Sequence, residues 1–557
     1  MPRRTLLSDR ILEENGVLGE VNMLQSPLYF ISLEPDVLSL ELEDAFSDLY
    51  LRKDPTPIFT AAKALMGLQK TTGLFPRILG KGDNAKRLAD LLLRMRGEED
   101  VNVSADPTNT YLSEFGMTPS SVIDNLVIVS RESDFATALL TQLTYEGLID
   151  ETYGIRNSQV EVDTSIIGSA TQQQQQQQNP TGVSQTAMKR KVQLDSSDKM
   201  YTTLRDANFA VVGPLLNKTA RRLQADYETR HKADQSISDL KSFVAKLPSY
   251  QAEQASLKIH TSLAEDIMKS TRSDLFGRTL EIQQNLVAGA DASSMHDNIE
   301  VLIARDVALP KILRLLCLES CISGGLRPRD LEAFKRAVLL AYGYQHLLTF
   351  ARLEKMGLLV HKAANTGYLN PMAAGSASGA ATDYASARKA LKLFVEDVDE
   401  ADPSDIAYVF SGYAPLSVRM VQCALQKSYL ASLTSARPAG GATATASTRL
   451  PNTSVATQGW KGFEDVLARV KGATVDEVQR GADEGASRAR VAIKGATAAE
   501  TTTIVFFLGG ITFAEIAALR FVGKQLGEKR RLVIATTGII SGDRAVGAAI
   551  EKGDLGG

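Results

Sequence analysis

Three apolar runs decide the fold: NLVIVSR at 125–131, TIVFFLGG at 503–510 and RLVIATT at 531–537. Each is a short continuous stretch of branched and aromatic residues, typical of a strand buried on both faces of a sheet. A stretch with helical spacing, 513–522, separates the second run from the third. This order predicts two parallel strands joined by a helix. Because such a pair cannot cover both faces of its own sheet, we expect it to join the sheet that contains the first run.

The rest of the chain passes from mixed strand and helix patterns to a long helical stretch. Short β-rich runs at 28–41 are followed by helical spacing through Leu65 and again over 85–95, which is α/β sequence. From 201 to 359 the pattern is almost entirely helical, with apolar residues from Phe209 to Tyr227 on one face. The sequence therefore predicts a helical domain inserted into one discontinuous α/β domain with a parallel sheet.

Composition narrows the class of protein. The 557 residues carry a net charge of -3, which argues against nucleic acid as the main partner, and their number suggests about three or four domains. Three cysteines are too few for a disulfide framework and indicate a reducing compartment. The most apolar window, 503–519, includes Glu515 and is shorter than the roughly 20 residues needed to span a bilayer. We expect a cytoplasmic protein that reaches membranes through partners.

Segments of biased composition divide the chain. Residues 168–185 contain seven consecutive glutamines and almost nothing apolar, so we expect a disordered loop. Two stretches rich in Ala, Gly, Ser and Thr, 370–382 and 434–457, are interpreted in the same way. Residues 481–497 form either another loop or a short helix.

Motifs for catalysis or metal binding are weak. The pair Gly509-Gly510 lies between a strand and a helix, where it could bind phosphate or serve tight packing, and the latter is favoured. Cys317 and Cys321 share a helix face, but no second Cys/His pair at zinc spacing accompanies them, so we interpret them as core residues. Five scattered histidines complete no known motif. We predict no catalytic residue, no metal and no cofactor.

Two segments carry a family resemblance: DNLVIVSRESDFATALLTQLTYEGLIDETYGI at 124–155 and FFLGGITFAEIAALRF at 506–521. Both resemble signature segments of the Sec/Munc (SM) family of vesicle-fusion proteins. VLLAYGYQHLLTFARLEKMGLL at 338–359 and DIAYVFSGYAPLSVRM at 405–420 resemble its vacuolar-protein-sorting-thirty-three branch, whose members are subunits of the HOPS and CORVET tethering complexes. The resemblance runs nearly end to end. It departs at Ser130, where the family has an acidic residue, and at Ala138, where it has proline.

The resemblance implies an SM-type arch, in which a helical domain is inserted into a discontinuous α/β domain. PRRTLL at 2–7 resembles an internal stretch of the family, so we expect most of the first α/β domain to be absent and do not assume a complete SM activity. The domains expected are a remnant of that first domain (1–27), the first half of the next α/β domain (28–160), a disordered linker with the glutamine run (161–190), a helical domain with a SNARE-template hairpin (191–310), a mainly helical partner-docking part (311–455) and a C-terminal return that completes the sheet (456–557).

In the family, a helical hairpin holds SNARE motifs in register before they zipper. Its arms here would be 208–231 and 250–272, with Pro248 suited to the first turn of the second arm. The alternative is that these residues only pack the hairpin against itself. The SNARE-binding residues predicted from the resemblance are Leu223, Tyr227, Pro248, Tyr250, Leu257, His260 and Thr261.

A second contact surface is implied near the turn at Gly343, on a helix expected over 331–348. In the resembling branch this region docks onto the α-solenoid of the sorting-sixteen subunit, and aromatic residues beside a cation suit such an interface. Core packing of the same residues is the alternative. The predicted partner-binding residues are Lys335, Tyr342, Tyr344 and Leu347.

The resemblance implies a function without catalysis. Binding Qa and R SNARE motifs, the protein would template SNARE-complex assembly for fusion at vacuolar, lysosomal or late endosomal membranes, where it would be peripheral. The alternative is a purely structural tether subunit that docks on its α-solenoid partner. A nucleotide-binding enzyme that uses Gly509-Gly510 is the third possibility.

Overall fold

The computed structural model describes residues 6–17, 20, 28–105, 119–167, 189–230, 237–291, 293–362, 381–435, 459–479, 501–527 and 530–550. The biased segments predicted as loops fall almost entirely outside these ranges, as do residues 1–5 and 551–557.

A mixed sheet of seven strands forms the centre of the α/β part, in the spatial order β1-β2-β9-β8-β4-β3-β7. A separate hairpin is made by β5 and β6. The strands are β1 (Ile31–Glu34), β2 (Val37–Ser39), β3 (Arg77–Lys81), β4 (Ile123–Ser130), β5 (Gln159–Asp163), β6 (Lys189–Gln193), β7 (Thr474–Val478), β8 (Thr501–Leu508) and β9 (Arg530–Thr536).

The predicted return of the chain to its first sheet is confirmed. β8 pairs in parallel with both β4 and β9, so that Val127 lies opposite Val505 and Val505 opposite Ile534. These central strands are buried along most of their length, which explains why their sequences are continuous apolar runs rather than alternating ones. The fold is therefore the discontinuous α/β domain that the sequence predicts.

The described helices up to residue 304 are α1 (Leu6–Glu14), α2 (Ala45–Ser47), α3 (Thr56–Thr72), α4 (Asp83–Ala105), α5 (Phe135–Leu139), α6 (Tyr145–Thr152), α7 (Thr164–Ile167), α8 (Lys199–Leu204), α9 (Phe209–Arg230), α10 (Ile237–Thr271), α11 (Asp274–Ala288) and α12 (Ser293–Ala304). A π-helix follows α2 at Asp48–Arg52, and a 3-10 turn follows β4 at Arg131–Ser133.

The remaining helices are α13 (Leu309–Ser323), α14 (Pro328–Tyr342), α15 (Leu347–Met356), α16 (Tyr384–Ala390), α17 (Leu416–Leu425), α18 (Lys427–Ser435), α19 (Glu464–Leu467), α20 (Phe513–Leu526) and α21 (Gly542–Gly547). Two 3-10 segments, Tyr344–His346 and Ile406–Phe410, complete the set.

Three expected boundaries are wrong. Residues 161–167 and 189–190, assigned to the disordered linker, belong to β5, α7 and β6. The second hairpin arm begins at Ile237, so Pro248 lies inside α10 and not in its first turn. A proline in the interior of a helix destabilises the helix by about 3 kcal/mol. The helix expected over 331–348 is split at Gly343, whose φ of 107° lies outside the helical region.

A buried ion pair joins the signature segments. Arg131, just after β4, donates from both Nη atoms to the Glu515 carboxylate at 2.7 Å, and both side chains are fully buried. Glu515 also accepts from the Oγ1 of Thr512 at 3.0 Å and forms the capping box that starts α20. Burial opposes ionisation of Glu515, but the Arg131 guanidinium outweighs it and lowers the pKa of this carboxyl. The pair fastens the first half of the sheet to the C-terminal return.

Candidate functional site

The helical hairpin consists of α9 and α10, whose facing sides are fastened together. Arg222 donates to Glu253 at 3.1 Å, and the Tyr250 hydroxyl donates to the carbonyl oxygen of Leu223 at 2.9 Å. At about 1.5 Å per residue, the 35 residues of α10 extend roughly 50 Å. The hairpin is therefore a long platform that is braced across its two arms.

A network of hydrogen bonds anchors α10 to the body of the protein. Asp198, the N-cap of α8, accepts from Ser256 Oγ at 2.6 and 2.8 Å and lies 3.1 Å from His260 Nε2. The other ring nitrogen of His260 lies 2.9 Å from the Tyr145 hydroxyl. One turn and a half further on, Asp266 accepts from the Tyr153 hydroxyl at 2.6 Å. These contacts fix the base of α10 against α6 and α8.

The Asp198 carboxylate is stabilised in its charged form. Its partial burial opposes ionisation, but the hydrogen bonds from His260 and Ser256 outweigh that cost and hold its pKa below the usual range. A charged acceptor makes stronger hydrogen bonds than a neutral one, so Asp198 is a strong anchor for α10. The sequence pattern gave no sign of this residue, apart from an Asp placed directly before a helix.

The predicted SNARE-binding residues divide by exposure. His260 is 1% exposed and Leu223 5%, so neither presents a contact surface in this structure. His260 is buried by its contacts with Asp198 and Tyr145, and Leu223 is buried by the packing of the two arms. The remaining predicted residues with described side chains, which stay predictions, are Pro248 (exposed) and Tyr250, Leu257 and Thr261 (half-buried). The side chain of Tyr227 lies outside the described residues.

An apolar patch surrounds the bend at Gly343. Its members are Leu340, Tyr344, Leu347 and Leu348, which are 70%, 73%, 59% and 55% exposed. Four large apolar side chains so exposed within nine residues are unusual on a protein surface, and exposed apolar patches are a common feature of interaction sites. Two of them, Tyr344 and Leu347, are among the predicted partner-binding residues, which stay predictions, and Leu340 and Leu348 were not singled out from the sequence.

The other two predicted partner-binding residues are engaged within the chain. Lys335 forms ion pairs with Glu354 at 2.8 Å and Glu332 at 3.3 Å. Tyr342 is half-buried, and its hydroxyl donates to the carbonyl oxygen of Val307 at 2.5 Å. Both therefore flank the apolar patch as support.

The Gly509-Gly510 turn serves close packing. A Cβ on Gly509 would lie 2.9 Å from the Tyr50 ring and one on Gly510 2.9 Å from Ile540. The amide of Gly509 already donates to Thr537 Oγ1 at 3.0 Å, and that of Thr512 donates to Glu515 at 3.0 Å. Two amides at this turn are thus occupied within the chain, and the two close Cβ positions support the packing interpretation.

The cysteines and other potential metal ligands in the described ranges occur at most in pairs. Cys317 is fully buried, and burial raises the pKa of its thiol. In the described part of the chain, no group of three or more His, Cys, Asp or Glu residues could hold a metal ion. None of the helices in that part is both long enough and apolar enough to span a bilayer.

Comparisons with known proteins agree with this architecture. Residues 2–547 match the Sec1 family, and the chain belongs to that family. It is 37% identical over 560 residues to vacuolar protein sorting-associated protein 33A of Rattus norvegicus, covering 99% of this chain and 81% of the relative. The vacuolar protein-sorting-associated protein 33 homolog of Arabidopsis thaliana is 32% identical over 555 residues, with the same coverage. The predicted family and its branch are confirmed.

Among solved structures, the chain resembles that of the Unc18–syntaxin 1 complex from Monosiga brevicollis. The TM-score is 0.57 at 15% sequence identity, and the match covers 97% of this chain and 80% of that one. At this identity the likeness shows the fold alone. The predicted SM architecture is thereby confirmed.

Proposed function

We propose that the chain binds SNARE motifs of the Qa and R types along the hairpin of α9 and α10 and templates their assembly for membrane fusion. Its relatives bear names that state a part in vacuolar protein sorting, and a protein of the same fold forms a complex with syntaxin 1. The proposed place of action is the surface of vacuolar, lysosomal or late endosomal membranes. There the chain acts by binding and not by catalysis, as a subunit of a tethering complex such as HOPS or CORVET.

One observation carries this proposal: the hairpin is long and held rigidly at its base and between its arms. The inner side of α10 is held by the Asp198 hydrogen bonds, the Tyr250 contact to Leu223 and the Arg222–Glu253 pair. The outer side of α10, which includes Gln254 and Lys258, faces solvent. A flexible hairpin would lose conformational entropy on binding a SNARE motif, and this loss would weaken the binding. A braced hairpin has already lost that entropy on folding.

The physical basis of templating is the order imposed on a disordered segment. A free SNARE motif must nucleate its helix, and nucleation is unfavourable in isolation. Binding along a preformed helix supplies contacts that offset the entropy of ordering the motif. Two motifs aligned on the same hairpin then begin zippering from a nucleated state, which accelerates assembly without any chemical step.

The apolar patch at Leu340, Tyr344, Leu347 and Leu348 is proposed to dock onto the α-solenoid sorting-sixteen subunit. Apolar and aromatic side chains at the centre of an interface supply most of its binding energy. Lys335 and Tyr342 hold the helices beneath the patch through their contacts to Glu354 and Val307. Docking on such a partner would bring the chain to the membrane.

The exposed patch also favours a second candidate function, that of a purely structural tether subunit. In that case the patch alone would be used and the hairpin would bind no SNARE motif. Two substitutions separate the possibilities: Leu257→Asp on α10 and Tyr344→Asp in the patch.

The test measures the affinity of each variant for labelled SNARE motifs and for the α-solenoid subunit. We expect Leu257→Asp to weaken SNARE binding at least tenfold and leave docking unchanged, because the exposed part of Leu257 borders the outer side of α10 and a bound motif would bury the new charge there. Tyr344→Asp should have the reverse effect. Because Tyr344 is 73% exposed, its variant should melt like the wild type. SNARE binding that is absent from the wild type, or unaffected by Leu257→Asp in a folded protein, would leave only the tether function.

A further inference from the structure

A group of four cations, called here the cationic cluster, consists of Lys53, Arg87, Lys355 and Lys471. Lys53 directly follows the π-helix, and Arg87 lies in the second turn of α4. Lys355 lies in the last turn of α15, and Lys471 lies in the loop before β7. The first three are exposed, and Lys471 is half-buried. The fold thus gathers these cations from distant positions in the sequence.

Packing between the elements brings the four cations together. The π-helix before Lys53 packs against α15, and a Cβ on Gly357, just after α15, would lie 3.6 Å from Lys471 Nζ. Partial burial and the charge of Lys471 lower the pKa of Lys53, whereas Glu132 opposes this effect. The other two cations of the cluster lower the pKa of Lys53 further. The like charges are therefore close enough to repel one another.

None of the four cations forms an ion pair with a residue that the structure describes. Among the charges that act most strongly on Lys53, three are cations and one, Glu132, is a carboxylate. Glu132 already accepts hydrogen bonds from the Asn84 amide at 2.8 Å and from Ser130 Oγ at 3.2 Å. Cations are therefore in excess at this surface.

The carboxylates on the surrounding elements are engaged within the chain. Two form ion pairs outside the cluster, Asp48 with Arg52 at 2.6 Å and Glu354 with Lys335 at 2.8 Å. Three more accept hydrogen bonds from nearby groups: Asp54 from Thr56, Asp83 from the Ala473 amide, and the buried Asp134 from Thr137 and Ser417.

The cationic cluster continues the apolar patch along one face of α15. Leu348, Ala351 and Lys355 are exposed and are spaced by three and four residues, so they lie on the same side of the helix. At about 1.5 Å per residue, Lys355 lies roughly 10 Å from Leu348 along the helix axis. A standard interface uses about 20–30 residues of each partner, far more than the patch supplies. A protein that covers the patch therefore reaches the cluster.

We propose that the partner docked on the apolar patch presents an acidic segment to the cationic cluster, and this role rests on the docking proposed above. Carboxylates of the partner relieve the repulsion among the four cations. A protein surface suits the cluster better than a bilayer does, because Lys471 lines a small recess with Ser133 and Thr382. A side chain can enter this recess, and a flat membrane surface cannot.

Charges at the edge of an interface act mainly on association. They steer the encounter of the two proteins and discriminate against wrong partners, whereas desolvated apolar groups supply most of the affinity. The apolar patch therefore holds the partner, and the cationic cluster speeds and selects its arrival.

Stopped-flow kinetics with the full 557-residue chain and the labelled α-solenoid subunit test this proposal. The double variant Lys53→Glu, Lys355→Glu reverses two exposed charges of the cluster. We expect its association to be at least fivefold slower at low ionic strength, and the fall of the wild-type rate with rising salt to disappear. Its dissociation rate should change less than twofold. The control Lys199→Glu, Lys524→Glu makes the same change in net charge at exposed positions on α8 and α20 and should associate like the wild type.

The possible outcomes separate the cluster from the patch. Tyr344→Asp should abolish docking, whereas the double variant of the cluster should still dock, only more slowly. All these positions are exposed, so the variants should melt like the wild type. Association of the double variant with the wild-type rate and salt dependence would overturn the acidic segment and leave docking on the patch intact. A wild type that does not bind the subunit would remove both.

Vesicles of phosphatidylcholine with about 20 mol% phosphatidylserine present the alternative anionic surface. We expect the wild type and the double variant to bind them equally weakly. Binding of the wild type that is lost in the double variant, while the kinetics of docking stay unchanged, would assign the cluster to a membrane and overturn the proposal.

Discussion

Replacing Asp198 by Ala tests whether the hairpin depends on its anchor. The substitution removes an N-cap from α8, which costs about 1 kcal/mol, and the hydrogen bonds that Ser256 and His260 make to a charged group, each worth about 1.5–3 kcal/mol when well buried. Because the Asp198 side chain is 25% exposed, solvent screens these bonds, and we reduce their summed contribution to a stability loss of about 3 kcal/mol. This loss falls on the base of α10 and not on the distant sheet.

Hydrogen exchange read by mass spectrometry measures this effect locally. A loss of about 3 kcal/mol in the opening free energy raises the exchange rate of amides in 251–271 by roughly a hundredfold. Asp195→Ala is the matched control, since the hydrogen bonds of the Asp195 side chain are to Ser197 and Gln193, both within two residues of it in the chain. Protection of 251–271 that stays within threefold of the wild type in Asp198→Ala would refute the anchoring role.

Three further predictions concern stability. Glu515→Ala leaves Arg131 charged, buried and unpaired, and should cost about 3–5 kcal/mol in chemical denaturation, unlike a typical surface change. Gly509→Ala should destabilise by about 2–4 kcal/mol because of its φ of 94° and the contact with the Tyr50 ring, whereas Gly97→Ala, in an open position on α4, should be neutral or stabilising. Burial raises the pKa of Glu146 to about 7, so the folded state holds an extra proton and the free energy of unfolding should fall as pH rises from about 4.5 to 7. Glu146→Gln should flatten this dependence on pH, and an unchanged slope in the variant would contradict the prediction.

Much of the α/β fold could be predicted because its signals are local. β4, β8 and β9 are buried along most of their length, and so each contains a continuous apolar run that needs no partner to be identified. β7 was missed because it is a short, mostly exposed edge strand with the sequence TVDEV, which lacks that run. Its place depends on antiparallel pairing with β3, roughly 400 residues away in the chain.

The candidate sites were less predictable because burial is decided by tertiary partners. His260 shares a helix face with half-buried Leu257, and the sequence alone gave no reason to separate them. What buries His260 is Tyr145, 115 residues earlier, together with Asp198. The split at Gly343, by contrast, had a local signal, since glycine ends helices at positive φ, and it creates the bend on which the apolar patch is displayed.

The central claim is that SNARE motifs lie along α10, and site-specific photo-cross-linking tests it most directly. A photoreactive residue at Gln254, exposed and one turn before Leu257, should cross-link to both the Qa and the R SNARE motif. The same residue at Arg336, exposed on α14, should cross-link to neither. The account predicts cross-links at 254 only, with both motifs held together on one chain. Equal labelling at the two positions, or none at 254, would contradict it.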